Sequence, residues 1–195
     1  MFTGIIESLG TVVNKISEKS NLILQINCDF IKELKIDQSI AHNGTCLTVV
    51  DIQKDYYEVV LVDETIEKTS FKNIEIGSKI NLERCLKLGD RMDGHWVTGH
   101  IDQTGQLVKI EDKNGSWKLF FSYQKTETEN ITVTKGSICI NGVSLTVVDS
   151  FQDSFSVVLI PYTWENTNLS LLKVGEEVNL EFDILGKYIK KMMKF

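Results

Sequence analysis

The chain has 195 residues, of which 42% are hydrophobic and 25% charged, a balance that is typical of soluble globular proteins and excludes disordered and collagen-like chains. No apolar run approaches the roughly 18–20 residues of a membrane-spanning helix, so we expect no membrane partner. The formal net charge of −6 opposes binding to a nucleic-acid backbone. The N-terminal MFTGIIESLG lacks the basic start of a secretory signal, which predicts a cytoplasmic protein.

The cysteines and histidines show no disulfide or metal-binding spacing. The four cysteines lack a CxxC motif, so we predict free thiols. The three histidines lack an HExxH motif, so we expect no metal site, and His42 and His95 are assigned to turn or surface positions. The sequence also contains no Walker loop, dinucleotide fingerprint or catalytic triad, and we predict no cofactor.

In chain order, the first half is typical of short strands joined by turns. Segments such as 39–50 and 78–83 are rich in β-branched and aromatic residues and are bounded by Gly, Asn or Asp. Asn43-Gly44 predicts a type I′ hairpin, because both central residues of that turn need a positive φ. Short helices are predicted over 28–35 and 63–70.

The second half repeats the first. Residues 137–149 match residues 39–51 at nine of thirteen positions with a constant offset of 98. The offset persists downstream, and upstream it becomes 95, where residues 98–101 align with residues 3–6. Asn141-Gly142 repeats the hairpin signal. The chain is therefore two homologous modules followed by a tail.

Closely spaced strands in a module of about 95 residues predict a small closed antiparallel barrel, which leaves no sheet edge exposed. We predict a mainly all-β fold with domains at 1–95 and 96–184, and one more short helix over 162–172. The tail, 185–195, is predicted to be an amphipathic helix that is too short to be stable without a packing partner. Its apolar stripe comprises Leu185, Tyr188, Ile189 and Met192.

Positions at which the two copies differ are candidates for chemistry. Cys46 aligns with Ser144, and His100 aligns with Ile5. A thiol after a hairpin can bind or attack a ligand, and an imidazole can move protons near neutral pH. Each residue also has a purely structural explanation. Cys46 can be a packed core cysteine, His100 a strand histidine whose hydrogen bonds are all made within the fold, and Ser144 a turn residue. The residues alone predict a ligand-binding barrel duplicated in tandem, and the reaction class stays open.

Five segments together resemble riboflavin synthase and its non-catalytic relatives. They are 1–7, 39–49, 94–102, 142–147 and 159–161, with the sequences MFTGIIE, SIAHNGTCLTV, GHWVTGHID, GVSLTV and LIP. The similarity runs from residue 1 to about residue 190. It implies two similar six-stranded Greek-key barrels and a C-terminal helix.

The resemblance implies a dismutation. Two molecules of 6,7-dimethyl-8-ribityllumazine exchange a four-carbon unit, giving riboflavin and 5-amino-6-(ribitylamino)uracil, without a metal or an external cofactor. Each barrel would hold one lumazine, and two lumazines would meet between the N-terminal barrel of one subunit and the C-terminal barrel of another. Members of the family are homotrimers held by their C-terminal helices, which would give the tail its packing partner.

The resemblance also implies the site residues. Cys46 and His100 would handle protons or donate hydrogen bonds beside the reacting ring, with Ser144 and Asp183 on the partner side and Lys135 reaching a neighbour's ligand. The first-barrel site would use Gly4, Ile5, Ile6, Cys46, Leu47, Thr48, Val60, Leu61, Val62, Asp63, Glu64, Thr65, Gly99, His100 and Ile101. The second would use Ser144, Leu145, Thr146, Val158, Leu159, Ile160, Pro161, Tyr162 and Thr163.

Two alternatives compete with an enzyme. Antenna lumazine proteins and yellow fluorescent proteins share this fold and bind the ligand without turnover, but they tend to lose parts of the polar set that this chain keeps. A barrel that binds single-stranded nucleic acid would need a basic groove with aromatic platforms, which the acidic balance opposes.

Overall fold

The computed structural model describes residues 1–124 and 131–193, and its strands close into two six-stranded antiparallel barrels. The first barrel comprises β1 (Ser8–Glu18), β2 (Asn21–Asn27), β3 (Ser39–His42), β4 (Thr45–Ile52), β5 (Tyr57–Leu61) and β6 (Lys79–Arg84). The second comprises β7 (Gln103–Asp112), β8 (Trp117–Tyr123), β9 (Ser137–Ile140), β10 (Val143–Ser150), β11 (Ser154–Leu159) and β12 (Glu177–Phe182).

The two barrels have the same strand order. The first runs β1-β2-β5-β4-β3-β6 around its circumference, and the second runs β7-β8-β11-β10-β9-β12. Alternate residues of each strand point inward, and each barrel encloses its own apolar core. The predicted pair of similar Greek-key barrels is confirmed.

Helices are few and short, and one predicted helical segment contains only a tight turn. The predicted helix over 28–35 is reduced to one 3₁₀ turn at Ile31–Glu33, because Phe30, Ile31 and Leu34 are all buried in the core of the first barrel. The helices observed are α1 (Asp63–Lys68), α2 (Pro161–Asn166) and α3 (Ile184–Met192).

The predicted helices over 63–70 and 162–172 end early, after α1 and α2, at a threonine in each case. Thr69 and Thr167 have extended backbones, and their hydroxyls accept hydrogen bonds from Phe71 N–H and Leu169 N–H. These threonines end the α-helices and cap the 3₁₀ turns that follow them.

The two hairpin turns form as predicted and pack against each other between the barrels. Asn43 and Gly44 have φ of 45° and 80°, and Asn141 and Gly142 have φ of 46° and 82°. A Cβ added to Gly44 would lie 2.8 Å from the backbone nitrogen of Gly142. Only glycine permits both the dihedral angles and this close approach.

Buried asparagines connect the two barrels next to these turns. The Asn81 amide donates to the Asn141 carbonyl at 2.9 Å, and the equivalent Asn179 amide donates to the Asn43 carbonyl at 2.9 Å. Asn168 adds a backbone N–H that donates to the Asn81 side chain at 2.7 Å. Because these amides are buried and bonded to both barrels, they fix how the barrels pack against each other.

His42 is not at a turn or surface position, so that prediction is wrong. Its side chain is fully buried, with Nδ1 3.0 Å from the Ile40 carbonyl and Nε2 2.7 Å from the Tyr57 hydroxyl. Since a carbonyl only accepts, Nδ1 carries the proton and Nε2 accepts from Tyr57. Burial lowers the pKa of His42 from 6.5 to about 4, so the ring is neutral at pH 7.

The C-terminal helix α3 is amphipathic, and its apolar stripe is exposed. Leu185, Tyr188, Ile189 and Met192 are about 60–70% exposed in a single chain. An ion pair of 2.7 Å between Lys187 and Asp102 ties the opposite face to the second barrel. Among the helices of residues 1–124 and 131–193, none has the length and apolar character needed to cross a membrane.

Candidate active site

Two short segments cross between the barrels, and we name them the first strap (residues 2–6) and the second strap (residues 97–101). Their backbones pair, because Phe2 N–H donates to the Val97 carbonyl at 2.8 Å and the reverse bond measures 3.1 Å. Each strap precedes the first strand of its own barrel and contacts the other barrel.

Each strap ends on the hairpin strand of the opposite barrel. The Gly4 carbonyl accepts from Ser144 N–H at 2.8 Å, and the Gly99 carbonyl accepts from Cys46 N–H at 2.9 Å. Both glycines have a positive φ, and a Cβ added to either would lie 2.6 Å from the Cβ of Ser144 or Cys46. The straps therefore pack directly against the two candidate residues.

This crossing corrects the predicted grouping of residues. Gly4, Ile5 and Ile6 were expected beside Cys46, but the first strap lies beside Ser144 in the second barrel. The reason is that the chain passes from the strap into β1 only after it has contacted β10. His100, on the second strap, lies on the same side as Cys46, as expected.

The first site is a cavity of about 310 Å³ where the second strap meets β4 and α1. Cys46 is half-buried, and desolvation raises the pKa of its thiol. His100 is exposed. The lining residues are Thr45, Cys46, Glu64, Thr65, Lys68, Thr69, Gly99, His100 and Ile101.

The second site contains a hydroxyl–imidazole pair. The Ser144 hydroxyl lies 2.6 Å from Nδ1 of His95, and His95 N–H donates to the Thr3 carbonyl at 3.1 Å. Desolvation lowers the pKa of His95, and the negative charge of Asp183 partly opposes the shift. The imidazole is therefore neutral near pH 7, and its Nδ1 can accept the serine proton.

His95 was assigned to a turn or surface, and that prediction is also wrong. Its half-buried ring sits beside Ser144 because Gly94 lets the backbone approach the first strap: a Cβ there would lie 2.0 Å from the Thr3 carbonyl oxygen. His95 has no counterpart in the repeat, since the aligned position would precede Met1. Its place within Gly94-His95-Trp96-Val97-Thr98-Gly99-His100 is the one sequence signal that indicated it.

Two further predicted residues lie in connections of the second barrel, Lys135 before β9 and Asp183 after β12. Asp183 caps α3 by accepting a hydrogen bond of 3.0 Å from Leu185 N–H. Lys135 is exposed in the turn before β9, with φ of 67°, and its N–H donates to the Val147 carbonyl.

Strand alternation divides the other predicted residues. Thr48 on β4 and Thr146 on β10 face outward beside the candidate thiol and hydroxyl. Segments 60–65 and 158–163 connect a strand to α1 and α2, so most of their side chains are accessible at the barrel ends. Predicted side chains that lie in the barrel cores are those of Leu47, Leu61, Leu145 and Leu159.

Buried carboxylates support both straps, and sequence reasoning did not assign them to the site. Glu83 accepts from Thr3 and Gly4, and Glu181 accepts from Thr98 and Gly99. Desolvation raises the pKa of both carboxyls, while these donors lower it. The sequence signal that could have found them is the repeated Asn-Leu-Glu motif, which places a glutamate next to buried residues in both β6 and β12.

The described residues contain no group of three or more His, Cys, Asp or Glu side chains that could hold a metal ion. The candidate residues at the two sites supply a thiol, a serine hydroxyl and two imidazoles, and the first site is also lined by threonine hydroxyls, Glu64 and Lys68. Such groups can orient a ligand by hydrogen bonding and transfer protons.

Sequence comparison finds relatives over the whole chain. The family described as Lumazine binding domain matches residues 3–85 and 98–183. The chain is 37% identical over 194 residues to a riboflavin synthase of Bacillus subtilis (strain 168), covering 99% of this chain and 90% of that protein. A riboflavin synthase of Mycobacterium bovis is 37% identical over 199 residues, covering 100% of this chain and 98% of that protein.

Solved structures share the fold. LumP in complex with 6,7-dimethyl-8-(1'-D-ribityl) lumazine superposes with a TM-score of 0.85 at 25% identity, covering 93% of this chain and 99% of that one. LumP in complex with riboflavin gives a TM-score of 0.85 at 27% identity, covering 93% and 98%.

Proposed function

The chain belongs to the riboflavin synthase family, and on that basis we propose that each barrel binds one 6,7-dimethyl-8-ribityllumazine at its strap-covered hairpin. The reaction is a dismutation of two lumazines to riboflavin and 5-amino-6-(ribitylamino)uracil, the last step of riboflavin biosynthesis. The observation that carries the site assignment is the pair of equivalent strap–hairpin contacts, Gly4 with Ser144 and Gly99 with Cys46.

The chemistry needs two different environments for two identical substrates. One lumazine loses a proton from its C7 methyl group, and the other becomes an electrophile by adding a nucleophile such as water or a hydroxyl. Holding both rings face to face removes much of the entropy cost of a bimolecular reaction, which is worth roughly 7–11 kcal/mol. A thiol in one barrel and a serine–histidine pair in the other supply that difference.

At the first site, we assign Cys46 and His100 to the ring. The cavity of about 310 Å³ is at the small end of ligand sites, which suits one bicyclic ring whose ribityl chain extends outward. Since burial raises the thiol pKa, Cys46 donates a hydrogen bond as a neutral group at pH 7. The exposed His100 imidazole is the group placed to exchange protons with solvent.

At the second site, we assign His95 and Ser144 to activation of the other ring. At 2.6 Å, the neutral imidazole accepts the Ser144 proton as the hydroxyl oxygen adds to the lumazine ring, which takes up the electron pair of the broken π bond. The imidazolium returns the proton to Ser144 when the oxygen leaves the ring again. Asp183 stabilises the imidazolium that forms, because its negative charge opposes the lowering of the His95 pKa by burial. Lys135 would reach a ligand held by a neighbouring subunit.

We propose that the protein is a homotrimer in which facing sites of two subunits bring two lumazines together. The exposed stripe of α3 supports this assembly, since an apolar helix face of this kind is normally covered. A groove of about 640 Å³ between α3 and the second strap, lined by Trp96, His100 and Tyr188, connects that stripe to the first site. Deleting residues 185–195 should dissociate the trimer in sedimentation, and a truncated protein that stays trimeric would contradict this role.

The proposal also includes a cytoplasmic location and no nucleic-acid partner. All four cysteines lie in the described part of the chain and are free thiols, which suits a reducing compartment. The net charge of −6 opposes phosphate-backbone binding.

Incubation with 6,7-dimethyl-8-ribityllumazine alone tests the function. We expect riboflavin and the pyrimidine product to appear in a 1:1 ratio while two lumazines are consumed, without any added cofactor. Tight binding without riboflavin formation would identify an antenna protein instead. His95→Ala and Ser144→Ala variants, assayed under the same conditions, test whether the second site participates.

A further inference from the structure

The two buried carboxylates hold the straps through the same three hydrogen bonds. Glu83 accepts from Thr3 N–H at 2.6 Å, the Thr3 hydroxyl at 2.8 Å and Gly4 N–H at 2.9 Å. Glu181 accepts from Thr98 N–H at 2.6 Å, the Thr98 hydroxyl at 2.7 Å and Gly99 N–H at 2.9 Å. This threefold anchoring fixes the peptide group between the threonine and the glycine of each strap, and the glycine carbonyl belongs to the next peptide group along the chain.

These carboxylates are almost fully inaccessible, with 4% exposure at Glu83 and 2% at Glu181. Within residues 1–124 and 131–193, neither takes part in an ion pair. The strap donors therefore replace the water that a carboxylate would otherwise bind. Burying a carboxylate without an ion pair costs free energy, and the cost is explained if the carboxylate is needed to hold the strap in position.

Each carboxylate serves the site of the other barrel. Glu181 lies on β12 of the second barrel, but the Gly99 carbonyl that it positions accepts from Cys46 N–H of the first. Glu83 lies on β6 of the first barrel, but the Gly4 carbonyl accepts from Ser144 N–H of the second. In both cases one strap glycine, Gly99 or Gly4, connects the carboxylate to the site.

We propose that Glu83 and Glu181 are crossed positioning residues: Glu181 of the second barrel sets the first site, and Glu83 of the first barrel sets the second site. The predicted effect on ligand binding rests on the proposed function. The assignment of each carboxylate to the opposite barrel rests on the hydrogen bonds alone. Glu181 also sets the direction of His100, which follows Gly99 directly. Neither carboxylate touches the substrate.

Glu181→Gln and Glu83→Gln are the test, and each variant is the matched control of the other. Glutamine keeps the size of the side chain but replaces one acceptor oxygen with an NH₂ donor, so a strap N–H loses its partner. We expect amide hydrogen exchange at Cys46 to accelerate roughly tenfold or more in Glu181→Gln while that at Ser144 stays within about twofold. Glu83→Gln should show the reverse pattern.

Titration with riboflavin, followed at the same two amides by NMR, connects the crossing to the sites. Glu181→Gln should raise the Kd reported at Cys46 by about tenfold and leave that at Ser144 unchanged, and Glu83→Gln should do the opposite. A single general loss of structure would affect both amides equally. Thr98→Val and Thr3→Val, which remove only the hydroxyl bonds, should reproduce the pattern more weakly if a glutamine variant fails to fold.

Two results would overturn the inference. Effects at the site of the mutated barrel, or equal effects at both sites, would show that the carboxylates do not act across the barrels. Crossed exchange with unchanged Kd at both sites would show that the carboxylates hold the straps without positioning the ligand. Failure of the unmodified protein to bind riboflavin or the lumazine would instead refute the proposed function, and the exchange pattern is measured without either compound.

Discussion

Replacing Gly99 with alanine should damage the first site in a way that separates two physical effects. Gly99 has φ of +84°, a conformation that costs an L-residue about 1–2 kcal/mol. In addition, the new Cβ would lie 2.6 Å from the Cβ of Cys46, an overlap of a kind that typically costs about 1–3 kcal/mol. Together they predict a loss of about 2–5 kcal/mol in the free energy of unfolding.

Gly77 provides the matched control for this variant. It has a similar φ of +90°, but no atom lies within 4 Å of a Cβ added there. Gly77→Ala should therefore cost about 1–2 kcal/mol in unfolding and leave riboflavin formation unchanged. The difference between the two variants isolates the contact of the second strap with Cys46.

Urea unfolding at a fixed protein concentration and the rate of riboflavin formation are the two measurements. We expect Gly99→Ala to slow turnover between about tenfold and 100-fold, since displacement of the strap by about 1 Å misplaces Cys46 and His100. If Gly99→Ala matched Gly77→Ala in both stability and rate, the packing of the strap on Cys46 would have no role in the site. If Gly77→Ala lost as much activity, the effect would be general destabilisation.

Three other results should follow. His95→Ala and Ser144→Ala should each lower the turnover number strongly, and the double variant should be little worse than either, because the pair acts as one unit. Additive effects of the two substitutions would show that the 2.6 Å contact between Ser144 and His95 is not used in the reaction. Lowering the pH from about 6.5 to about 4 should remove up to about 3 kcal/mol of stability that is contributed by His42, because the unfolded chain binds a proton there that the buried neutral ring does not. The difference between the unmodified protein and His42→Gln in urea unfolding measures this contribution apart from those of His95, Glu83 and Glu181, whose pKa values are also shifted. Asn168→Ala should lower the midpoint of thermal unfolding by several degrees, because it removes hydrogen bonds to Asn81 and Asn43 between the barrels. Asn114→Gly should not, because Asn114 is exposed and has a φ of 57°, which glycine adopts without strain.

Features that depend on residues close in sequence were predictable. Asn43-Gly44 and Asn141-Gly142 form the expected turns because the dihedral preference belongs to the dipeptide itself. The internal repeat predicted two similar barrels, since a duplicated sequence folds into the same unit twice. The tail helix was predicted from 185 and is observed from Ile184, because its apolar stripe has a helical period.

Most features that depend on contacts between the modules were not predictable from the residues alone, and the placement of His100 beside Cys46 was expected only from the family resemblance. His42 looked like a turn residue because its partner, Tyr57, is on another strand and no local pattern connects them. His95 has no equivalent in the repeat, so comparison of the copies gave it no weight. The crossing of the straps brings together Gly4 and Ser144, which are 140 residues apart, and no periodicity of either segment indicates that contact.

The crossing explains how duplicated barrels can treat identical substrates differently. If each site were built within one module, Cys46 and Ser144 would have strap neighbours from their own copies, Ile5 and His100 respectively. Because the straps cross, the pairing is reversed. The Cys46 thiol shares its site with the His100 imidazole, and Ser144 lies beside the first strap, which carries Ile5, and beside His95 from the connection between the modules. A chain cut after residue 95 would leave Cys46 without the second strap and Ser144 without the first. The two sites therefore depend on the tandem arrangement itself, and their chemical difference follows from how the modules are joined.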